Sequence, residues 1–197
     1  MKLIAITQRV EVIENINERR DALSQEWSEL AYVCGFIPVI IPNNCKAAKN
    51  LINELKIDGI ILTGGNDLVC FGGNAPERDA VENYLIELAV KNDIPLLGVC
   101  RGAQMLLNYF GAKLEKIDGH IRMEHTLTSG KTVNSFHGFG AKTAPECIEI
   151  TEKSEDGVIE EFTHTMHKNI YGIMWHPERY RAFRDDDLEF IRRKLKL

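Results

Sequence analysis

The chain has 197 residues, of which 44% are hydrophobic, and its formal net charge is −5. This length predicts a single domain over residues 1–197 with a sizeable core. The negative charge argues against binding to nucleic-acid polymers or to anionic membrane surfaces. No apolar stretch approaches the roughly 20 residues that span a bilayer.

The first half of the chain alternates short apolar runs with amphipathic stretches. We predict strands at 2–6, 36–41, 59–62 and 96–99, and helices at 19–34, 47–55, 76–91 and 103–110. Strands that are apolar throughout and alternate with helices are typical of a parallel sheet covered on both faces.

The pattern changes after residue 113. Polar alternating segments at 121–127, 131–134 and 147–150 predict a small antiparallel addition. Runs at 158–162 and 169–174 complete the predicted sheet, and 185–195 is predicted to be a closing helix. The expected fold class is therefore α/β, with a mostly parallel sheet between helices.

The cysteines and the N-terminus point to a reducing compartment. The five cysteines are irregularly spaced and include no C-x-x-C pair, so neither a disulfide framework nor a zinc motif is predicted. The apolar start is interrupted at residues 7–9 before a secretory signal could form. We expect a cytoplasmic protein.

Cys100 has a reactive setting. It follows an apolar run within Gly98-Val99-Cys100-Arg101-Gly102 and precedes a predicted helix. Glycines on both sides let a strand and a helix approach closely, which is typical of a nucleophile elbow. A cysteine at a helix N-terminus is favoured in its thiolate form.

A base and an acid occur near the end of the chain, in the sequence 175–178. His176 and Glu178 follow the last predicted strand and, with Cys100, form a candidate catalytic triad. Because ligands of open α/β sheets bind outside the carboxyl ends of the strands, we expect segments 8–9 and 63–67 to meet there with Cys100 and His176.

Five motifs carry a resemblance to a known family: Ile-Thr-Gln-Arg at 6–9, Thr-Gly-Gly-Asn-Asp at 63–67, Gly-Val-Cys-Arg-Gly-Ala-Gln at 98–104, Val-Asn-Ser-Phe-His at 133–137 and Trp-His-Pro-Glu-Arg at 175–179. Together they resemble the class I glutamine amidotransferase superfamily. Within it they are similar to the stand-alone γ-glutamyl hydrolases, which include γ-glutamyl-γ-aminobutyrate hydrolases and the γ-glutamyl-CDP-amidate hydrolases of phosphoramidate capsule synthesis. The resemblance covers nearly the whole chain and implies a flavodoxin-like fold.

The resemblance also implies roles for individual residues. Cys100 is the expected nucleophile, His176 the acid/base and Glu178 its orienting partner, acting through a thioester without a cofactor. The expected oxyanion hole combines the N–H groups of Gly65 and Arg101. The expected substrate-binding residues are Gln104, Asn66, Ser135, Phe136, His137, Arg9, Arg19 and Arg20. His137 is left open between a side-chain role and a backbone role.

The predicted partner is a small γ-glutamyl substrate, but the catalytic motifs do not identify its leaving group. Arg9, Arg19 and Arg20 could bind a phosphate-bearing leaving group, although pairing with the acids around them is an equal alternative. The arginine at 101 and the continuation Asn66-Asp67 depart from the usual glutaminase pattern and favour a hydrolase.

Several alternatives stay open. A glutaminase subunit that delivers ammonia to a synthase and a non-catalytic ligand-binding module are the rival interpretations. The oligomeric state is not predicted. No metal site is expected, because His120, Glu124 and His125 do not have H-E-x-x-H spacing.

Overall fold

The computed structural model describes residues 1–197, and short strands make up much of it. They are β1 (Leu3–Ile6), β2 (Arg9–Ile13), β3 (Glu18–Ala22), β4 (Ile37–Ile40), β5 (Gly59–Leu62), β6 (Leu96–Val99), β7 (Glu115–Lys116), β8 (Ile121–Thr126), β9 (Thr132–Phe136), β10 (Phe139–Gly140), β11 (Ile148–Lys153), β12 (Ile159–His164) and β13 (Ile170–Ile173). The helices are α1 (Glu26–Cys34), α2 (Cys45–Glu54), α3 (Pro76–Asn92), α4 (Arg101–Tyr109) and α5 (Asp185–Lys194).

Seven strands form the central sheet in the order β11-β12-β13-β6-β5-β1-β4. The pairs from β13 to β4 are parallel, whereas β12 runs antiparallel to both β11 and β13. The prediction of a mostly parallel α/β sheet of the flavodoxin-like class with an antiparallel addition is confirmed.

Helices cover both faces of this sheet. On one face the apolar residues of α2, α3 and α4 pack with β5 and β6 in a cluster of 23 buried residues. On the other face α1 and α5 contribute to a cluster of 18. The parallel strands are buried on both sides, which explains why their sequences are continuously apolar.

The predicted helix at 19–34 is wrong over its first turns. Strands β2 and β3 form an antiparallel hairpin in which Arg9 pairs with Ala22, and α1 starts only at Glu26. The hairpin turns at Asn17, whose φ is +49°. The spacing of Leu23 fits a helical period. Residues 18–22 nevertheless form a strand, because β2, which is rich in β-branched residues, pairs with them.

Two smaller features complete the fold. The segments predicted at 121–127 and 131–134 form the antiparallel hairpin β8–β9, which is separate from the central sheet. None of the helices has the combination of length and apolar composition that a membrane crossing requires.

Candidate active site

Cys100 lies at the sharp turn between β6 and α4. Its backbone has φ +52° and ψ −105°, a conformation that non-glycine residues rarely adopt. The Cys100 N–H donates to the carbonyl of Ile173 in β13, and its carbonyl accepts from the N–H of Gln104. The sheet and the helix therefore hold the strained residue from both sides, as the sequence predicts for a nucleophile elbow.

The two glycines of the elbow allow this close approach. A Cβ on Gly102 would lie 2.1 Å from the carbonyl oxygen of Leu62, and a Cβ on Gly98 would lie 2.6 Å from the backbone of Gly102. Both contacts are with backbone, which cannot move aside. Glycine is therefore required at each position for α4 to pack directly on β5 and β6.

His176 and Glu178 form the acid–base pair beside the thiol. His176 Nδ1 lies 2.6 Å from Glu178 Oε1, and both residues are almost fully buried. Burial alone would lower the pKa of His176, but the Cys100 thiolate and the Glu178 carboxylate outweigh it and raise the pKa to about 9. The charged form of the His176 imidazole is therefore favoured by the two acidic groups beside it.

Asn134 fixes the backbone of His176, a role that the sequence did not reveal. Its Nδ2 donates to the His176 carbonyl at 2.9 Å, and its Oδ1 accepts from the His176 N–H at 2.8 Å. This two-point contact joins β9 to the end of β13 and orients the catalytic base.

The loop at 63–65 lies beside His176 and contains Gly65, one of the two residues expected to form an oxyanion hole. A Cβ on Gly64 would lie 2.6 Å from Cε1 of His176, so this loop packs directly against the catalytic imidazole. The buried guanidinium of Arg78 donates to the carbonyls of Thr63, Gly64 and Gly65. Because these carbonyls face Arg78, the loop is rigidly held around Gly65, whose φ is +88°.

Arg78 belongs to a buried network of four charged side chains. Arg78 pairs with Glu82 at 2.9 Å, Glu82 also pairs with the Arg101 side chain, and Arg101 in turn pairs with Asp79. Thr7 Oγ1 donates to Glu82 at 2.9 Å. The network joins α3, β1 and the start of α4 under the reacting centre, so the Arg101 side chain is structural.

The sequence of α3 contains a signal for this network. In the helical period of α3, Arg78 and Glu82 fall on the same face as Leu85 and Ala89, and all four are buried. A charged pair spaced i, i+4 on an inward face indicates a buried ion pair.

Two adjoining cavities open around Cys100, His176 and Glu178, and together they form the cleft of the candidate site. One, of about 470 Å³, is lined by Cys100, His176 and Gln104; the other, of about 270 Å³, is lined by His176 and Glu178. Four arginines line one or both cavities: Arg9, Arg101, Arg122 and Arg179. Arg179 stacks on the ring of Phe136, with its guanidinium carbon 4.3 Å from the ring centroid.

The two arginines predicted at 19 and 20 lie away from these cavities. They are on strand β3 and not at the start of a helix, which corrects their predicted placement. Arg19 pairs with Glu77 and donates to the carbonyl of Asn74, and Arg20 pairs with Glu18. Arg9 remains at the cleft, where its side chain contacts Gly65 and lies 3.2 Å from Glu11.

Of the other predicted substrate-binding residues, Gln104 and Phe136 line the cavity of Cys100, whereas Ser135 does not. Gln104 lines the larger cavity, although its Nε2 donates to the carbonyl of Phe139 at 2.8 Å. Phe136 packs edge-on against the His176 ring. The hydroxyl of Ser135 is fully buried and donates to the carbonyl of His120.

Asn66 lines the larger cavity and also anchors the β2–β3 hairpin. Its Oδ1 accepts from the N–H of Val10 at 2.8 Å and its Nδ2 donates to the Val10 carbonyl at 2.9 Å. Both polar atoms of the Asn66 amide are therefore already used, so its side chain positions the hairpin beside the cleft.

The expectation that the chain has no cluster of metal ligands is wrong. His120, His125, His137 and Glu160 offer four ligand atoms that all lie within 4.8 Å of one another. The Nε2 atom of His137 lies 3.4 Å from Glu160 in this cluster, although His137 also lines the cavity of Cys100 with Phe136 and Gly138. Glu160 comes from the central sheet, so no local spacing in the sequence could reveal the cluster.

Comparisons with known proteins identify a matching family and several relatives. The family model described as glutamine amidotransferase class-I matches residues 20–194. The γ-glutamyl-CDP-amidate hydrolase of Campylobacter jejuni is 35% identical over 89% of this chain and 90% of its own. The anthranilate synthase component 2 of Cyanophora paradoxa is 31% identical over 85% of this chain and 88% of its own.

Two further matches are more distant. The γ-glutamyl-γ-aminobutyrate hydrolase of Escherichia coli O157:H7 is 26% identical over 79% of this chain and 78% of its own. The crystal structure of a glutamine amidotransferase from Thermotoga maritima superposes with a TM-score of 0.66 at 17% identity, covering 99% of this chain and 84% of that one. The structural match supports the fold.

Proposed function

The chain belongs to the glutamine amidotransferase class-I family, and on that premise we propose that it is a hydrolase of γ-glutamyl amides that acts through a thioester on Cys100. The observation that carries the proposal is the strained elbow at Cys100 beside the buried pair of His176 and Glu178. A nucleophile, a base and an acid that orients the base are the groups that amide hydrolysis needs.

The proposed reaction has two steps. The Cys100 thiolate attacks the γ-carbonyl carbon, and the oxyanion is stabilised by the N–H groups of Gly65 and Arg101, each contributing about 2.7–4 kcal/mol to the transition state. His176 gives its proton to the leaving nitrogen as the C–N bond breaks, which leaves a glutamyl thioester.

Water then attacks the thioester carbonyl and gives a proton to His176. The C–S bond breaks, glutamate leaves, and the thiolate and the imidazolium are restored. Glu178 holds the imidazole in one tautomer and stabilises its charged form in both steps. We propose that Gln104 and the segment 135–137 hold the glutamyl α-amino and α-carboxylate groups.

The leaving group that we propose is anionic, as in a nucleotide diphosphoramidate such as the CDP-amidate of the Campylobacter relative. The chain is acidic overall, yet Arg9, Arg122 and Arg179 all line the cavities around the triad. Arginine forks suit phosphate groups. Because Arg19 and Arg20 are paired on the outer strand of the hairpin, the cleft arginines are better placed for this role.

The cellular setting belongs to the same proposal. All five cysteines are free thiols in the structure, which fits a reducing compartment such as the cytoplasm. A small γ-glutamyl molecule is the only partner that the proposal needs.

The test is a glutamate-release assay across γ-glutamyl amides: γ-glutamyl-CDP-amidate, γ-glutamyl-γ-aminobutyrate and glutamine. We expect the nucleotide-linked amide to have the highest kcat/KM, and Cys100→Ala to lower kcat at least about 10⁴-fold. A glutamyl adduct on Cys100 should appear by mass spectrometry with a slow substrate. Turnover of Cys100→Ala at the wild-type rate would contradict the thioester, and a preference for glutamine would favour the synthase-subunit alternative.

The leaving-group assignment has its own control. Arg179→Ala should raise KM for the nucleotide-linked amide and leave KM for a γ-glutamyl alkylamide, whose leaving group is neutral, nearly unchanged; added salt should act in the same way. Arg20→Ala is the matched control, because Arg20 pairs with Glu18 away from the cleft. Equal losses on both substrates would show that Arg179 does not contact the leaving group.

A further inference from the structure

Three histidines and one glutamate meet behind the wall of the cleft. His120 Nδ1, His137 Nε2 and His125 Nε2 lie 3.5, 3.4 and 4.0 Å from Glu160 Oε1, respectively. Glu160, His120 and His137 are at most 3% exposed. None of these three nitrogens has a hydrogen-bond partner, and neither does either oxygen of Glu160. Buried polar atoms without partners are rare, so this convergence needs a physical explanation.

In two of these rings, His120 and His137, the nitrogen that faces away from Glu160 lies close to a hydrogen-bond acceptor. His120 Nε2 lies 3.3 Å from Asp156 Oδ2, and His137 Nδ1 lies 3.1 Å from the carbonyl of Phe139. Because both of these partners accept hydrogen bonds, they favour tautomers in which each ring places its lone pair toward Glu160. Lone pairs that face a buried carboxylate are repelled by it unless a proton or a metal ion lies between them.

We propose that His120, His125, His137 and Glu160 bind one Zn²⁺ ion. Tetrahedral zinc with bonds of about 2.0–2.1 Å has ligand atoms about 3.4 Å apart. The distances from the histidines to Glu160 are already 3.4–4.0 Å, and the four ligand atoms, which lie within 4.8 Å of one another, would contract around the ion. Imidazole nitrogens with one carboxylate oxygen are suitable zinc donors, and four protein ligands make a closed structural site.

The proposed ion would rigidify the wall of the cleft and would take no part in bond breaking. His120 precedes β8, His125 lies within β8, His137 follows β9, and Glu160 lies on β12 of the central sheet. The ion would thus attach the β8–β9 hairpin to the sheet. It would also link to Gln104, because the carbonyl of Phe139 accepts from both His137 Nδ1 and Gln104 Nε2.

A route for the ion is present. A separate polar cavity of about 340 Å³ is lined by His120, His125 and Asp156, and it shares no lining residue with the cavity of Cys100. Its lining residues do not include the triad, so zinc at the cluster is distinct from zinc that binds adventitiously to the catalytic thiol.

The test measures metal binding directly and does not depend on the proposed activity. Chelator-treated wild-type protein is titrated with ZnCl₂ and then analysed for bound zinc, for thermal stability and by X-ray absorption. We expect one zinc per chain, a higher Tm with zinc, and a first shell of nitrogen and oxygen at about 2.0–2.1 Å with no sulfur at about 2.3 Å.

Variants locate the ion. His125→Asn and Glu160→Gln should each weaken zinc binding at least about 100-fold, and Asp156→Asn should weaken it about 10–100-fold by releasing the His120 ring. His167→Asn is the matched control, because His167 contacts only His164 among the histidines and should bind zinc as the wild type does.

Two results would overturn the proposal. One is wild-type protein that binds no zinc at micromolar concentration, which would leave a cluster of protonated histidines around Glu160. The other is a sulfur-containing first shell, which would place the metal on a cysteine, or full binding by His125→Asn, which would place it outside the four-residue cluster. The wild-type measurements stand even where a variant fails to fold.

Discussion

Two buried polar clusters lie under two walls of the same cleft. They differ in whether each charged side chain has a partner of opposite charge. Under the loop at 63–65, Arg78 and Arg101 face Glu82 and Asp79, so each charge has a partner of opposite sign. Under the segment at 136–138, Glu160 faces three imidazoles without a hydrogen bond. The first cluster is complete with the chain's own side chains, whereas the second has an arrangement that a cation would complete.

The two clusters should lose different amounts of stability when one charge is removed. A buried ion pair is sensitive to the loss of one partner, because the remaining charge is left in a medium that solvates it poorly. Glu160 has no hydrogen bond to its three imidazole neighbours, so the cluster should lose little when that carboxylate is neutralised in the absence of a metal.

The largest effect is expected for Glu82→Gln. Glu82 is fully buried and pairs with both Arg78 and Arg101, so the change leaves two guanidinium groups without their shared carboxylate. We expect the free energy of unfolding to fall by about 3–5 kcal/mol. Urea unfolding followed by circular dichroism measures it. A loss below about 1 kcal/mol would show that Arg78 and Arg101 do not depend on the charge of Glu82.

Arg101→Lys should have the next largest effect. The guanidinium of Arg101 contacts Glu82 and Asp79 at once, and an ammonium group cannot match that fork. We expect a loss of about 1.5–3 kcal/mol in unfolding free energy. The backbone N–H at 101 is retained, so kcat should change less than stability does. A loss of kcat with unchanged stability would instead place the Arg101 side chain at the substrate.

Glu178→Gln tests the acid–base pair between the two clusters. The Glu178 carboxylate helps to raise the pKa of His176 to about 9, so removing its charge should lower that pKa. His176 must be protonated to release the leaving nitrogen. The alkaline fall in kcat should therefore move to lower pH, by about 1 unit or ~1.4 kcal/mol. An unchanged pH profile would show that another group governs the alkaline limb.

Glu160→Gln in the presence of a chelator should have the smallest effect. The Glu160 carboxylate has no hydrogen bond to lose, and glutamine keeps its shape. We expect the unfolding free energy to change by less than about 1 kcal/mol, measured as for Glu82→Gln. A loss of 3–5 kcal/mol would show that Glu160 is already compensated by protonated histidines, and the contrast between the clusters would disappear.

The sequence by itself determined the order of strands and helices from 36 to 110 and the elbow at Cys100. It also determined the family to which the chain belongs. These features are local: buried parallel strands are apolar throughout, and a strand-to-helix turn with close packing needs Gly98 and Gly102. The motif containing His176 and Glu178 is likewise contained within a few residues, so its residue types are sufficient to indicate its chemistry.

Only the tertiary structure decided which residues the site brings together. Pairing with β2 made residues 18–22 a strand and placed Arg19 and Arg20 outside the cleft. The contacts of Arg78 with the loop at 63–65 and the meeting of Glu160 with the three histidines join distant segments. Long-range pairing and burial of charge depend on the whole fold, because their free energy comes from partners that no local pattern specifies.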